Sequence, residues 1–185
     1  IEAWGRVAGQ SGRIDVDRRG PQSTGWRFGF STAGLHATVF GLIDMEAPVV
    51  IEPDRWYHAA WSFDGERHRF WLDGQLVRRF DNRHAPRASA VATTIGGLRN
   101  ADGNVRGYSD GSIDEVRISS VSRYQAPFAP ARRLESDLDT MALWHLDEGQ
   151  GDSVRDTSGR GHHGILRRAQ IWGLDQGYGP AYCGP

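Results

Sequence analysis

Arg55-Trp56-Tyr57-His58-Ala59-Ala60-Trp61-Ser62-Phe63-Asp64-Gly65, followed at once by Glu66-Arg67-His68-Arg69-Phe70-Trp71-Leu72-Asp73-Gly74, decides the fold. Each half is an apolar, aromatic-rich run closed by Asp-Gly, a pair that tolerates the left-handed backbone of a tight turn. Two such runs in succession predict an antiparallel hairpin. With Asp64 to Arg67 as the loop, Phe63 faces His68, Trp61 faces Phe70 and Ala59 faces Leu72. Side chains alternate across a strand, so these residues and Tyr57 share one face. Trp56, His58, Ala60 and Ser62 then share the other with Arg69 and Trp71. The first face, uniformly apolar at Ala59, Trp61, Phe70 and Leu72, is expected to be core. The second is either a concave binding surface or a face covered by loops.

Outward from the hairpin the pattern persists. Turn signals stand at Ser11-Gly12, Arg19-Gly20-Pro21, Ala33-Gly34 and Asp110-Gly111. Their spacing, with period-2 alternation between them, predicts an all-β jelly-roll sandwich of two antiparallel sheets. Trp26, Phe28 and Phe30 take one side of a strand, Arg27 and Gly29 the other, and Trp26, Phe28 and Trp61 are assigned to the core. Ile95-Gly96-Gly97 leads through a polar, glycine-rich loop to Gly111-Ser112-Ile113-Asp114-Glu115-Val116-Arg117-Ile118. Residues 121–140, with Pro127 and Pro130 and no alternation, read as a connector, and Arg132 to Thr140 as a short helical turn within it. A strand from Met141 to Leu146, the loop Asp156 to Gly161 and a strand from His163 to Leu166 follow.

Composition bounds the function classes. A chain of 185 residues buries roughly 70% of its unfolded surface and is read as one domain, 1–185. Hydrophobic residues at 38% and charged residues at 24% fit a globular chain. No apolar run approaches the ~20 residues of a membrane-spanning helix. The formal net charge of -1 gives no field that would draw nucleic acid. All 22 basic residues are Arg, a bias that GC-rich codon usage explains more simply than bidentate anion recognition. Cys183 is the single cysteine and cannot close a disulfide within the chain. With Ile1 at the start and no signal peptide in view, the sequence reads as a piece of a longer protein.

The chain resembles the laminin-G-like, concanavalin-A-like jelly-roll superfamily, in its bacterial secreted form. The resemblance is carried by Ile1-Glu2-Ala3-Trp4, by Trp56 to Ala60 with Asp64-Gly65, by Phe70 to Gly74 and by Gly111 to Ile118. Leu143-Trp144-His145-Leu146-Asp147-Glu148-Gly149-Gln150-Gly151 and Asp156-Thr157-Ser158-Gly159 resemble a block that usually opens such a domain but here comes last. Residues 141–185 either complete the same sandwich or begin a second domain, and completion is the expectation.

The resemblance implies candidate sites. An enzyme on this fold would be expected to carry Glu-x-Asp-x-x-Glu on one strand. Glu135-Ser136-Asp137-Leu138-Asp139 is the nearest approach and lacks the last Glu. No Gly-x-Ser-x-Gly elbow is present, and His162-His163 would point to opposite faces. No enzymatic activity is expected. A structural calcium ion is implied at Asp114 and Asp156, with carbonyls near Gly161 and His163, although Asp156 could equally cap a turn. Asn100 to Asn104 spaces oxygens as calcium loops do but reads as a plain turn. Trp71, with Trp56, His58 and Arg69 beside it, offers a stacking surface and polar groups for a sugar, if that face is open. The expectation is a carbohydrate-binding or adhesion module, extracellular or at the cell surface, with a glycan or neighbouring protein domains as partner. The alternative is a packing module in an extracellular assembly.

Overall fold

The computed structural model describes residues 1–166 apart from 11, 88 and 100–103. Cys183, the rest of 167–185 and most of the Asn100 to Asn104 turn lie outside the described residues. In chain order the strands are β1 (Glu2–Val7), β2 (Arg13–Asp17), β3 (Trp26–Ser31), β4 (Gly34–Val39), β5 (Ile43–Pro48), β6 (Tyr57–Phe63), β7 (Arg67–Leu72), β8 (Gln75–Asp81), β9 (Thr94–Ile95), β10 (Leu98–Arg99), β11 (Val105–Arg106), β12 (Gly111–Ser119), β13 (Thr140–Trp144), β14 (Ser153–Val154) and β15 (Gly164–Ile165). A six-stranded antiparallel sheet, β13-β12-β1-β6-β7-β8, packs on a five-stranded one, β5-β4-β3-β2-β9. The result is a jelly-roll sandwich.

The β6–β7 hairpin has the register read from the sequence, with Phe63 opposite His68, Trp61 opposite Phe70 and Ala59 opposite Leu72. Its loop forms because Asp64 Oδ1 accepts the Glu66 and Arg67 N–H groups while Gly65 takes a φ of 98°. The next turn places Asp73 and Gly74 at φ 48° and 76°, the left-handed pair that a two-residue hairpin requires. Tyr57, Ala59, Trp61, Phe70 and Leu72 enter the core with Phe28, Phe30, Leu35 and Met45 from the facing sheet. Trp61 stacks on Phe28 and meets Trp26 edge-on.

The helical turn expected at Arg132 to Thr140 is not formed. That segment is irregular apart from a turn closed by Thr140 N–H on the Asp137 carbonyl, because the rest of its backbone and side chains bond to the sheet. Leu134 N–H donates to Glu115 Oε2 at 2.7 Å, and Arg117 Nη1 donates to the Glu135 carbonyl at 2.9 Å. Glu115 can make its bond because β12 bulges there. Its φ is 53°, and the register with β1 slips between Glu2 and Trp4. The C-terminal segment joins the sandwich through β13, which pairs Trp144 with Val116 and Ala142 with Ile118. Trp144, Ala142 and Val154 pack with Ala3, Val16 and Val116 in a second apolar cluster.

Candidate functional site

The outer face of the six-stranded sheet carries the aromatic residues singled out from the sequence, and the connector covers it. Tyr124 and Phe128 stack on each other at 3.5 Å, nearly coplanar. That pair sits over Trp71 at 6.3 and 5.7 Å and over His58 at 6.5 and 5.7 Å. Trp71 is 1% exposed and His58 is fully buried. Arg69 is turned to Asp64, with Nη1 2.7 Å from Oδ2. Trp56 alone of the four is half-exposed, and the Arg6 guanidinium lies 5.8 Å over its ring. Of the face offered for a sugar, Trp71 and His58 therefore lie under Tyr124 and Phe128, the covered alternative that the sequence left open, while Trp56 stays partly exposed. Nothing near Trp71 in sequence announces a cover contributed from about fifty residues away.

Buried polar groups fasten this cover. Glu2 Oε1 receives Nε and Nη2 of Arg117 at 2.9 and 2.8 Å. Its Oε2 accepts Tyr124 Oη–H at 2.6 Å and stands 2.9 Å from His58 Nε2. Burial alone would raise the Glu2 carboxyl. The His58 hydrogen bond, the His58 and Arg117 charges and the Tyr124 bond outweigh burial and hold it at about 2. Burial and the Glu2 charge push the Tyr124 phenol up. The network holds the connector in place and is largely buried.

The five-stranded sheet carries the open cleft. It has a volume of about 510 Å³, within the ~300–1,000 Å³ of ligand sites, and is lined by Arg13, Arg27, Ser31, His36, Glu46 and neighbouring backbone. Among the described residues no Trp, Tyr or Phe lines it. Pairing sets outward residues in cross-strand rows: Asp15, Gly29, His36 and Glu46 form one, and Asp17, Arg27, Thr38 and Asp44 the next. His36 Nε2 reaches Asp15 Oδ1 at 2.8 Å by passing over Gly29. Arg13 clasps the same carboxylate with Nε and Nη2. Burial works to raise the Asp15 carboxyl, and the hydrogen bonds from His36 and Arg13 overcome it and lower it. Burial raises Asp17. Arg27 Nη2 donates to Thr38 Oγ1, which donates to Asp44 Oδ1 at 2.6 Å. In the sequence Arg27 and Gly29 stand opposite the core side of their strand, but nothing there joins them to the other strands. Polar residues at alternate positions of four successive strands were the available signal.

Of the two residues expected to hold calcium, Asp156 already has its carboxylate filled by protein donors. Asp156 Oδ1 accepts the N–H groups of Leu143 and Ser158, and Oδ2 accepts Ser158 Oγ–H and His162 N–H. Burial would raise this carboxyl, but those bonds hold it at about 2, as a turn cap. Asp156 bridges Trp144 on β13, whereas Asp114 pairs with Trp4 two residues further along β12. Among the described residues no three His, Cys, Asp or Glu side chains are grouped to hold a metal.

A jelly-roll sandwich with one sheet face closed by its own connector and a polar cleft on the other is the class of molecule this geometry defines. Residues 1–126 match the concanavalin A-like lectin/glucanases superfamily, of laminin G type, and the chain belongs to that superfamily. No curated protein matches it in sequence. In structure it is similar to a candidate carbohydrate-binding protein from Bacteroides ovatus, with TM-score 0.63 and 18% identity over 92% of this chain and 54% of the other. The chain thus spans about half the length of that protein. The CBM40 of the Ruminococcus gnavus IT-sialidase, bound to α2,3-sialyllactose, is less similar, with TM-score 0.47 and 13% identity over 60% of this chain and 69% of that one.

Proposed function

We propose that this chain is a non-catalytic carbohydrate-binding module of an extracellular or cell-surface protein, and that its ligand sits in the cleft on the five-stranded sheet. The observation that carries the reading is the cleft itself, where Arg13, His36 and Glu46 converge on the face the connector leaves open. Several converging hydrogen-bonding groups around a concave floor are what a hydroxyl-rich ligand needs. Superfamily membership supports the same ligand class, and so does the Bacteroides ovatus protein that shares the fold. Glycoside hydrolysis requires two carboxylates flanking the bond, one of them protonated. Here Glu46 is the only carboxylate lining the cleft among the described residues, and Arg13 and His36 keep Asp15 ionised. The reading also takes the strands from β1 to β15 as one folding unit, with the C-terminal strands completing it.

A glycan array probed with the purified chain tests this reading. Saturable binding, competed by free sugar and weakened at least tenfold by His36→Ala, is expected. Absence of saturable binding to any glycan would overturn it.

A further inference from the structure

The cleft's charges point to a ligand class within the reading proposed above. Its two arginines are already engaged. Arg13 is held by Asp15, which is fully buried, and the charge of Arg27 acts on Asp17 while its Nη2 donates to Thr38. For Arg13 to turn fully to an anionic ligand it would have to leave a buried carboxylate with a single partner, a costly exchange. His36 gives its Nε2–H to Asp15, so in the neutral ring Nδ1 is an acceptor. Glu46 is exposed, and its carboxylate makes no hydrogen bond or ion pair with another described residue. Asp44, also exposed, takes only the Thr38 hydroxyl. The two rows therefore hold one positive charge, Arg27, with Arg13 beside them as a second, against four negative ones, and Glu46 and Asp44 present exposed acceptors.

We infer that the cleft selects neutral sugars, whose vicinal hydroxyls donate to the Glu46 carboxylate, and discriminates against sialylated, uronic or sulfated glycans. A sugar hydroxyl supplies the donor that Glu46 lacks. A carboxylate or sulfate in the same place meets the Glu46 charge, while Arg13 stays bound to Asp15.

The test uses the full chain, a neutral glycan that it binds on the array, and the same glycan bearing a sialic acid or uronic acid, titrated calorimetrically at low salt. The neutral form should bind at least tenfold tighter. Glu46→Gln, at an exposed position, should keep the melting temperature, weaken the neutral glycan about tenfold and shrink the discrimination, as expected for loss of a charge-assisted hydrogen bond. Equal or tighter binding of the acidic glycan, still abolished by His36→Ala, would overturn the selectivity while leaving the carbohydrate site standing. An unchanged Glu46→Gln profile would also overturn it. If neither glycan class binds, the site and its selectivity fall together.

Discussion

His36 on β4 and Asp15 on β2 are joined at 2.8 Å across the full width of β3, and Gly29 lies beneath the bond. A Cβ at Gly29 would stand 2.2 Å from the Ile14 carbonyl oxygen, 2.8 Å from Asp15 Oδ1 and 2.9 Å from His36 Nε2. Backbone cannot yield cheaply there. Gly29→Ala should therefore cost about 1–3 kcal/mol in urea denaturation and weaken glycan binding together with stability. A variant of wild-type stability and affinity would show that the bridge has no role in the cleft.

Trp71 tests whether the covered face binds anything. Its ring lies under Tyr124 and Phe128 and its Nε1–H donates to Ser62 Oγ, so Trp71→Ala should lose about 3–5 kcal/mol. Trp71→Phe, which keeps most of the packing, should fold and bind glycans with unchanged affinity. Loss of binding in the folded Trp71→Phe variant would return the site to the six-stranded sheet.

Glu115 ties three segments together. It accepts Leu134 N–H from the connector and stands 2.8 Å from His145 Nδ1 beyond β13. Glu115→Ala leaves both groups without this partner in a buried setting and should cost about 2–4 kcal/mol, with faster protease cleavage in the connector. Residues 1–125 alone lack β13 and the Phe128 cover over Trp71 and His58. They should fail to give a cooperative unfolding transition, and a stable 1–125 fragment would separate the C-terminal strands from the folding unit.

His68 makes stability depend on pH. The ring is fully buried, accepts Trp61 Nε1–H at Nδ1 and stacks on Phe63. Burial lowers its pKa from 6.5 to about 4. The folded chain keeps the ring neutral while the unfolded chain takes up a proton below pH 6.5. Stability should thus be at its full value above pH 6.5 and fall by about 3 kcal/mol on the way to pH 4. His68→Gln should flatten that slope, and the measurement is the urea midpoint at pH 7, 5.5 and 4.5. Equal slopes for the two proteins would assign the decline to other groups. Below pH 4 the low-lying carboxyls of Glu2 and Asp156 add their own loss.

Calcium should leave the protein unchanged. Four donors already saturate Asp156, so the melting temperature is expected to be the same in EDTA and in millimolar calcium. Asp156→Ala should destabilise by about 2–4 kcal/mol through the donors it abandons. A rise of several degrees on adding calcium would refute this.

The hairpin register, the core set around Trp61 and Phe28 and the sandwich class were legible in the sequence. Period-2 alternation and Asp-Gly turns are local signals that act within a few residues. The connector was legible as irregular chain, but not where it lay. Trp71 shows why: its environment depends on Tyr124 and Phe128, more than fifty residues later, and on the bulge at Glu115 that fastens the chain above it. The cleft was illegible for the same reason. Asp15, Gly29, His36 and Glu46 mean little singly and become one row only when three strand pairings set their register. By itself the sequence determined which residues alternate and where the chain turns, because those depend on neighbours along the backbone. Only the tertiary structure decided which of two polar-edged faces stays open, because that depends on which distant side chains find hydrogen-bond partners there.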